Sequence, residues 1–308
     1  MAVALALLAA MSALSSCTSP ATAELTRLEH PVVDGAPLRL LVVGDWGRKG
    51  GYNQTRVAEQ MGKVAEETEI DFVVSTGDNF LENGLAGVDD MAFHDSFMDI
   101  DPALRKIDSR FICMRSFIVS AGIVDFFFVD TTPFQLQYWT DPGEDHYDWR
   151  GVAPRDAYIA NLLEDVDAAM KKSTATWKIA VGHHTMRSVS AHGDTQELLE
   201  LLLPVLKENG VDFYINGHDH CLEHISSRNS PIQYFTSGGG SKAWRGIFQQ
   251  NEDKLQFFYD GQGFLSLELS ENRARFAFYD VFGEALYHWS FSKANLQKVQ
   301  SSASVTEE

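Results

Sequence analysis

Phe213-Tyr214-Ile215-Asn216-Gly217-His218-Asp219-His220 is the stretch on which the reading of this chain turns. The short apolar run from Phe213 to Ile215 reads as a buried strand. It stops at a glycine, and imidazoles follow at His218 and His220. In an extended segment alternate side chains share a face, so the pair can serve one metal ion or straddle two. Two histidines crowded at a strand end point to a ligand rather than to a turn.

The same pattern recurs upstream. Leu40 to Val43 runs into Gly44-Asp45, Phe72 to Val74 into Gly77-Asp78, and Ile179 to Val181 into Gly182-His183-His184. A lone Gly-Asp is ordinarily a turn. Four apolar runs that each end in glycine and then a carboxylate or imidazole are better explained by a shared site. Open α/β sheets place ligands at the carboxyl ends of their strands. Glycine at each end allows a tight turn and close backbone approach. Asp45, Asp78, His183, His218 and His220 are therefore expected on one rim. Oxygen and imidazole donors suit Fe, Mn and Zn better than soft copper. Asp78 can bridge two ions with its two oxygens. A pair of ions about 3.5–4 Å apart clamps a phosphoryl group and activates water.

Around these ends the chain alternates short strands with amphipathic helices. Val57, Met61 and Val64 make one helical stripe; Ile159, Leu162, Leu163, Val166 and Met170 make a fuller one. Asp194 or Thr195 is expected to cap a leucine-rich helix from Gln196 to Glu208, kinked at Pro204 and ended at Gly210. The last third changes to consecutive strands: Gln256 to Tyr259, Phe264 to Leu269, Arg273 to Tyr279 and Ala285 to Phe291. They are expected to form a meander over one side of the core. The fold class is α/β, a layered sandwich.

At 308 residues, 44% hydrophobic and 22% charged, the chain is long enough for one large domain. Its net charge of −18 argues against nucleic acid as a partner, because phosphate backbones need basic patches. Residues 1–23 carry no charged side chain and end in Ala21-Thr22-Ala23, which reads as a secretory signal. A leader at 24–37, a catalytic domain at 38–293 and a polar tail at 294–308 complete the division. No later run is long enough for a membrane anchor. Export would make Asn53, in Asn53-Gln54-Thr55, a glycosylation acceptor. Cys113 and Cys221 would be the mature chain's two thiols, and sequence alone does not decide whether they pair.

The blocks Gly44-Asp45-Trp46-Gly47, Gly77-Asp78-Asn79-Phe80, Gly182-His183 and Gly217-His218-Asp219-His220 resemble the ordered signatures of metallophosphoesterases. Asp125 to Phe134 (DFFFVDTTPF), Asp148 to Val152 (DWRGV), Val181 to Ser188 (VGHHTMRS) and Ser237 to Gly246 (SGGGSKAWRG) resemble the small plant purple acid phosphatases more closely still. The resemblance spans nearly the whole mature chain. It implies a metallophosphoesterase sandwich of two mixed β-sheets flanked by helices. It also implies a binuclear centre, Fe with Zn, Fe or Mn, that hydrolyses small phosphate monoesters at acid pH. By motif, Asp45 and His220 would bind the ferric ion and Asp78 would bridge. His183 and His218 would bind the divalent ion, and His192 would act near substrate as a catalytic residue. The exported product would be secreted or vacuolar.

Two departures accompany the resemblance. The family's Gly-Asp-x-x-Tyr block supplies a phenolate ligand, and here the fifth position is Leu81. The family's Gly-Asn-His block has no counterpart between Asp78 and His183, and Ile100-Asp101 reads as a deletion junction. One interior strand is therefore expected to be missing, and each metal is left with three protein ligands. The alternatives kept open are a catalytically impaired relative and an active one with another phosphoester as substrate.

Overall fold

The computed structural model describes residues 24–81, 112, 114–143, 147–246, 249 and 253–293. The signal segment, Cys113, the Ile100-Asp101 junction and the polar tail lie outside the described residues. Two mixed sheets pack face to face, with helices on their outer sides. The larger sheet holds eight strands: β1 (Thr26–Glu29), β4 (Phe117–Ala121), β5 (Val124–Phe128), β6 (Trp177–Val181), β7 (Phe213–Asn216), β8 (Leu222–Ser226), β9 (Gln233–Ser237) and β10 (Lys254–Tyr259). Their spatial order is β1-β4-β5-β6-β7-β9-β8-β10. The smaller sheet holds β2 (Leu38–Val43), β3 (Phe72–Ser75), β11 (Gly263–Leu269), β12 (Arg273–Asp280) and β13 (Ala285–Ser292), ordered β13-β12-β11-β2-β3.

Strand alternation builds the layers. Phe213 and Ile215 of β7 face the smaller sheet, where they meet Leu265, Leu267 and Phe276. Tyr214, between them, faces outward to a helical layer. That layer consists of α3 (Arg155–Lys172) and α4 (Leu203–Glu208), which contribute Ile159, Leu162, Val166, Met170 and Leu206. A short helix, α2 (Gln137–Thr140), precedes them. On β2, Leu40 and Val42 enter the inter-sheet core, while Leu41 and Val43 face α1 (Gln54–Thr68) with its Val57, Met61 and Val64.

Three expectations are refined. The leucine-rich helix opens as a wide π turn, Leu198–Leu202, before α4. Pro204 has no N–H to donate and crowds the carbonyl one turn back, which favours a widened turn here. Asp194 does not cap it: its carboxylate takes Arg187 Nη1 at 2.6 Å and the Ser188 N–H at 3.0 Å. Second, β10 is not part of the meander. It pairs antiparallel with β8 in the larger sheet, while β11–β13 continue the smaller sheet from β2. Third, the segment 24–37 contributes β1, which pairs parallel with β4.

Neighbouring strands β2 and β3 run parallel, as do β5, β6 and β7. The carboxyl ends of β2 and β3 therefore meet those of β6 and β7 along one rim. Both sheets are continuous among the described residues. β3 is the terminal strand of the smaller sheet and leads into the undescribed segment.

Candidate metal centre

Backbone bonds join neighbouring strand ends within each sheet, and Gly240 N–H to Gly44 O at 3.0 Å joins the two sheets. Asp45 N–H donates to Gly77 O at 3.0 Å, and Gly217 N–H to His183 O at 3.0 Å. Glycine is required where the sheets touch. A Cβ on Gly217 would lie 2.5 Å from Asp45 Oδ2, and one on Gly44 would lie 3.0 Å from the Ser237 carbonyl of β9. Asp45, Asp78 and His218 all sit in the left-handed region, with φ of 58°, 48° and 68°. Three non-glycine residues in that region on one rim mark a constrained site.

The structure brings the five expected ligands together. His183 Nε2 lies 3.5 Å from Asp78 Oδ1 and 3.2 Å from His218 Nδ1. His220 Nε2 lies 3.4 Å from Asp45 Oδ1. Asp45 Oδ2 accepts the His218 N–H at 2.9 Å. His183 Nδ1 bonds to Thr76 O at 3.0 Å, so it carries the proton and leaves the Nε2 lone pair facing the cluster. Asp45, Asp78 and His183 each offer a ligand atom within 4.8 Å of the others, as do His183, His184 and His218.

The electrostatics suit a bound cation. Asp45 is wholly buried, and burial raises its pKa well above the carboxylate range, with Asp78 and Asp219 adding repulsion. Its Oδ1 accepts no hydrogen bond, and buried His220 Nδ1 also lacks a partner. Burial, followed by the positive charge of Arg48, pushes His220 down to about 4. Burial first and neighbouring imidazoles second hold His218 well below its usual value. For His183 burial opposes the charge, but Asp78 and Asp45 prevail and raise its pKa. A buried carboxylate beside imidazoles that burial keeps neutral at His218 and His220 leaves lone pairs that suit coordinated metal ions.

His192 is exposed, with its ring parallel to His218 at 3.9 Å and 20°. Several residues that support the site were not singled out by sequence reasoning. Trp244 stacks on His220 at 3.9 Å and 10°, and meets His192 edge-on at 5.0 Å. Its only sequence signal was its place in the Ser237–Gly246 block. Trp46 Nε1 donates to Asn79 Oδ1 at 2.9 Å and Ser75 Oγ at 3.0 Å, joining the loops after β2 and β3. Thr131 Oγ1 accepts the N–H groups of His183 at 3.2 Å and His184 at 3.1 Å. Its own proton therefore goes to His184 Nδ1 at 2.9 Å, and His184 Nε2–H donates to Tyr138 OH at 3.1 Å. Both nitrogens of His184 are thus engaged. The residue buttresses the His218 ring, 4.5 Å away between centroids. Leu81 contributes a backbone N–H to Gly47 O at 2.9 Å and no side-chain donor.

Comparison with known proteins agrees with this geometry. Residues 38–222 match the calcineurin-like phosphoesterase family. The chain is 50% identical over 297 residues to purple acid phosphatase 3 of Arabidopsis thaliana, covering 87% of this chain and 81% of the relative. It is 51% identical over 304 residues to purple acid phosphatase 7 of the same plant, covering 89% and 92%. Among solved structures, Plasmodium GAP50, the anchor in the inner membrane complex, superposes with a TM-score of 0.65 at 22% identity, over 83% of this chain and 89% of that one. That likeness shows a common fold. The rim and sandwich define a calcineurin-like phosphoesterase, and within that class this chain belongs to the purple acid phosphatases.

Proposed function

We propose that this chain hydrolyses small phosphate monoesters at acid pH through a binuclear metal centre. Asp45, Asp78 and His220 would hold one ion, and Asp78, His183 and His218 the other. Fe paired with Zn, Fe or Mn fits this oxygen and imidazole donor set. The observation that carries the reading is the convergence itself: five donors from four strand ends meet, and two of them, the buried Asp45 Oδ1 and His220 Nδ1, accept or donate no hydrogen bond. When bound, the ions would supply charge neutralisation for the phosphoryl group and activation of water.

The chain's own residues supply the rest. The Thr76 and Thr131 contacts fix the orientations of His183 and His184 before substrate arrives. His192, exposed beside His218, is placed to give a hydrogen bond to a phosphoryl or leaving-group oxygen. Trp244 shields the His220 side of the cluster. Asp78→Ala and His218→Ala are each expected to abolish turnover of p-nitrophenyl phosphate. Unchanged turnover by either pure variant refutes the assignment.

A second reading, impaired catalysis, is favoured by Leu81 and by the absent Gly-Asn-His block. No tyrosine phenolate is available from the Leu81 position, so iron-loaded protein should lack the visible charge-transfer band of its family. A purple spectrum would mean that another tyrosine has taken the place. The uncharged segment 1–23 is read as a secretory signal, and Asn53, exposed at the start of α1, as the glycosylation acceptor of the exported chain. No helix among the described residues is long and apolar enough to cross a membrane.

A further inference from the structure

Beneath the loop that carries His192 lies a carboxylate with no part in holding metal. Asp219 sits in the chain between His218 and His220 and is wholly buried. Its Oδ1 accepts the His192 N–H at 2.8 Å. Its Oδ2 accepts the Ser188 hydroxyl at 2.5 Å and the Gly193 N–H at 3.3 Å. Three donors, spread over the loop from Ser188 to Gly193, thus converge on one side chain. The same residue is joined covalently to both rim histidines of its own loop.

The loop has other ties, two of them beside His192: Thr185 Oγ1 donates to Gly193 O at 2.5 Å and Gln249 Nε2 to Ala191 O at 3.4 Å. Asp194 binds Arg187 and the Ser188 N–H, which closes the loop on itself. Glu223 Oε1 accepts the Val189 N–H at 2.9 Å and anchors the loop's base to β8. Of these carboxylates, only Asp219 bonds to the backbone of His192. His192 is otherwise held by ring packing on His218 and Trp244. A surface imidazole held only by stacking can slide and rotate. A charge-assisted bond to its own N–H sets its backbone against the metal rim.

We propose that Asp219 is a positioning residue that fixes His192 over the metal centre, by gathering the Ser188, His192 and Gly193 donors on its two oxygens. The proposal rests on the reading of His192 as the group that contacts substrate. The chemistry is demanding. Asparagine at this position keeps one acceptor oxygen and turns an NH2 group toward the remaining donors; the Ser188 hydroxyl can rotate to accept from it, but the Gly193 N–H cannot. It cannot replace the carboxylate, although its size is nearly the same.

The test compares Asp219→Asn, Ser188→Ala, His192→Ala and the double variant Asp219→Asn/His192→Ala in metal-loaded protein. Steady-state turnover, affinity for inorganic phosphate and the imidazole NMR signals of His192 and His220 are measured on each. His192→Ala is expected to lower kcat about a hundredfold. Asp219→Asn should lower it about ten- to a hundredfold, with kcat and kcat/KM falling together. The double variant should be no worse than His192→Ala alone, because Asp219 acts only through His192. Ser188→Ala removes one donor and should give a smaller loss in the same direction. It also decides the matter if Asp219→Asn does not fold. Losses that multiply in the double variant, or an unmoved His192 signal in both Asp219→Asn and Ser188→Ala, overturn the proposal. If His192→Ala leaves turnover and phosphate affinity intact, the reading of His192 fails instead. Asp219 is then judged by NMR alone: a shifted His192 signal with His220 unmoved sustains the clamp, and no shift overturns it.

Discussion

The rim and the patch behind β8 both bury histidines, and they treat them in opposite ways. His220 and His224 are each pushed by burial to about 4. His224 is fully paired, with Nδ1 on Tyr287 OH at 3.0 Å, Nε2 on Gln233 Oε1 at 3.0 Å and its ring on Phe235 at 4.2 Å. His220 has a stacked ring and an Nδ1 without any partner. The carboxylates repeat the contrast. Asp125, at the other end of the sheet, takes Arg27 at 3.0 Å and Ser120 at 2.7 Å, whereas Asp45 Oδ1 accepts no hydrogen bond and has only His220 Nε2 at 3.4 Å. Buried polar groups in folded proteins are normally satisfied. A similar shift therefore means different things in the two places: a closed set of bonds in the patch, and a set completed from outside at the rim.

Replacing the two histidines in turn is the most severe way to break this comparison. His224→Ala removes a packed ring and should cost about 3–5 kcal/mol, as large-to-small core changes do. Metal stoichiometry of the folded protein should stay the same. His220→Ala also removes a buried ring, stacked on Trp244, and should destabilise metal-free protein as well, but unlike His224→Ala it should lose one bound ion by elemental analysis. Urea unfolding and metal counting on both variants are the measurements. Equal metal loss in both would erase the distinction between the regions.

Chelation sharpens the same contrast at a somewhat smaller scale. A ligand that binds only the folded state stabilises it by about 3–4 kcal/mol at 100–1,000 times its Kd. Removing metal should therefore lower the melting temperature of the wild-type protein, and restoring it should raise it again. Asp45→Asn should be much less responsive. A wild-type melting curve indifferent to chelator would mean that the unpaired oxygens of the rim await no cation.

The rim was legible in sequence because each contributor stands beside glycine at the end of an apolar run. Four such ends in one α/β chain leave few arrangements. Its supports were less legible. Asp219 and the loop of His192 meet across a fold-back that no local pattern encodes, and Trp244 reaches His220 from a separate segment. Thr131 acts through a hydroxyl whose direction only the folded backbone sets. β10 was assigned to the wrong neighbours because an antiparallel strand has the same period in either sheet. β1 (Thr26–Glu29) gave no apolar signal, since its residues are mostly exposed at a sheet edge.

The smallest effect concerns a carboxylate that belongs to neither class. Glu223 is buried, with Oε1 on the Val189 N–H and Oε2 unpartnered. Burial raises its pKa from 4.5 to about 8. Between those values the folded chain holds a proton that the unfolded chain has released. The contribution of Glu223 is then fully present below about pH 4.5 and is lost as pH rises toward about 8. Between pH 5 and 7.5 it should change stability by roughly 1–3 kcal/mol. The buried imidazoles of His220 and His224 act in the opposite sense, because their depressed pKa values favour the fold above the normal histidine range. Glu223→Gln isolates the carboxyl contribution, since both proteins share those histidines. Urea unfolding of metal-free protein should show stability falling more steeply with rising pH in the wild type than in Glu223→Gln. Parallel slopes would mean that Glu223 finds a partner for Oε2 and ionises normally, which would place it with the closed sets such as Asp125. A difference would mean that Glu223 favours the fold in acid, against the pull of the buried histidines and independently of any metal at the rim.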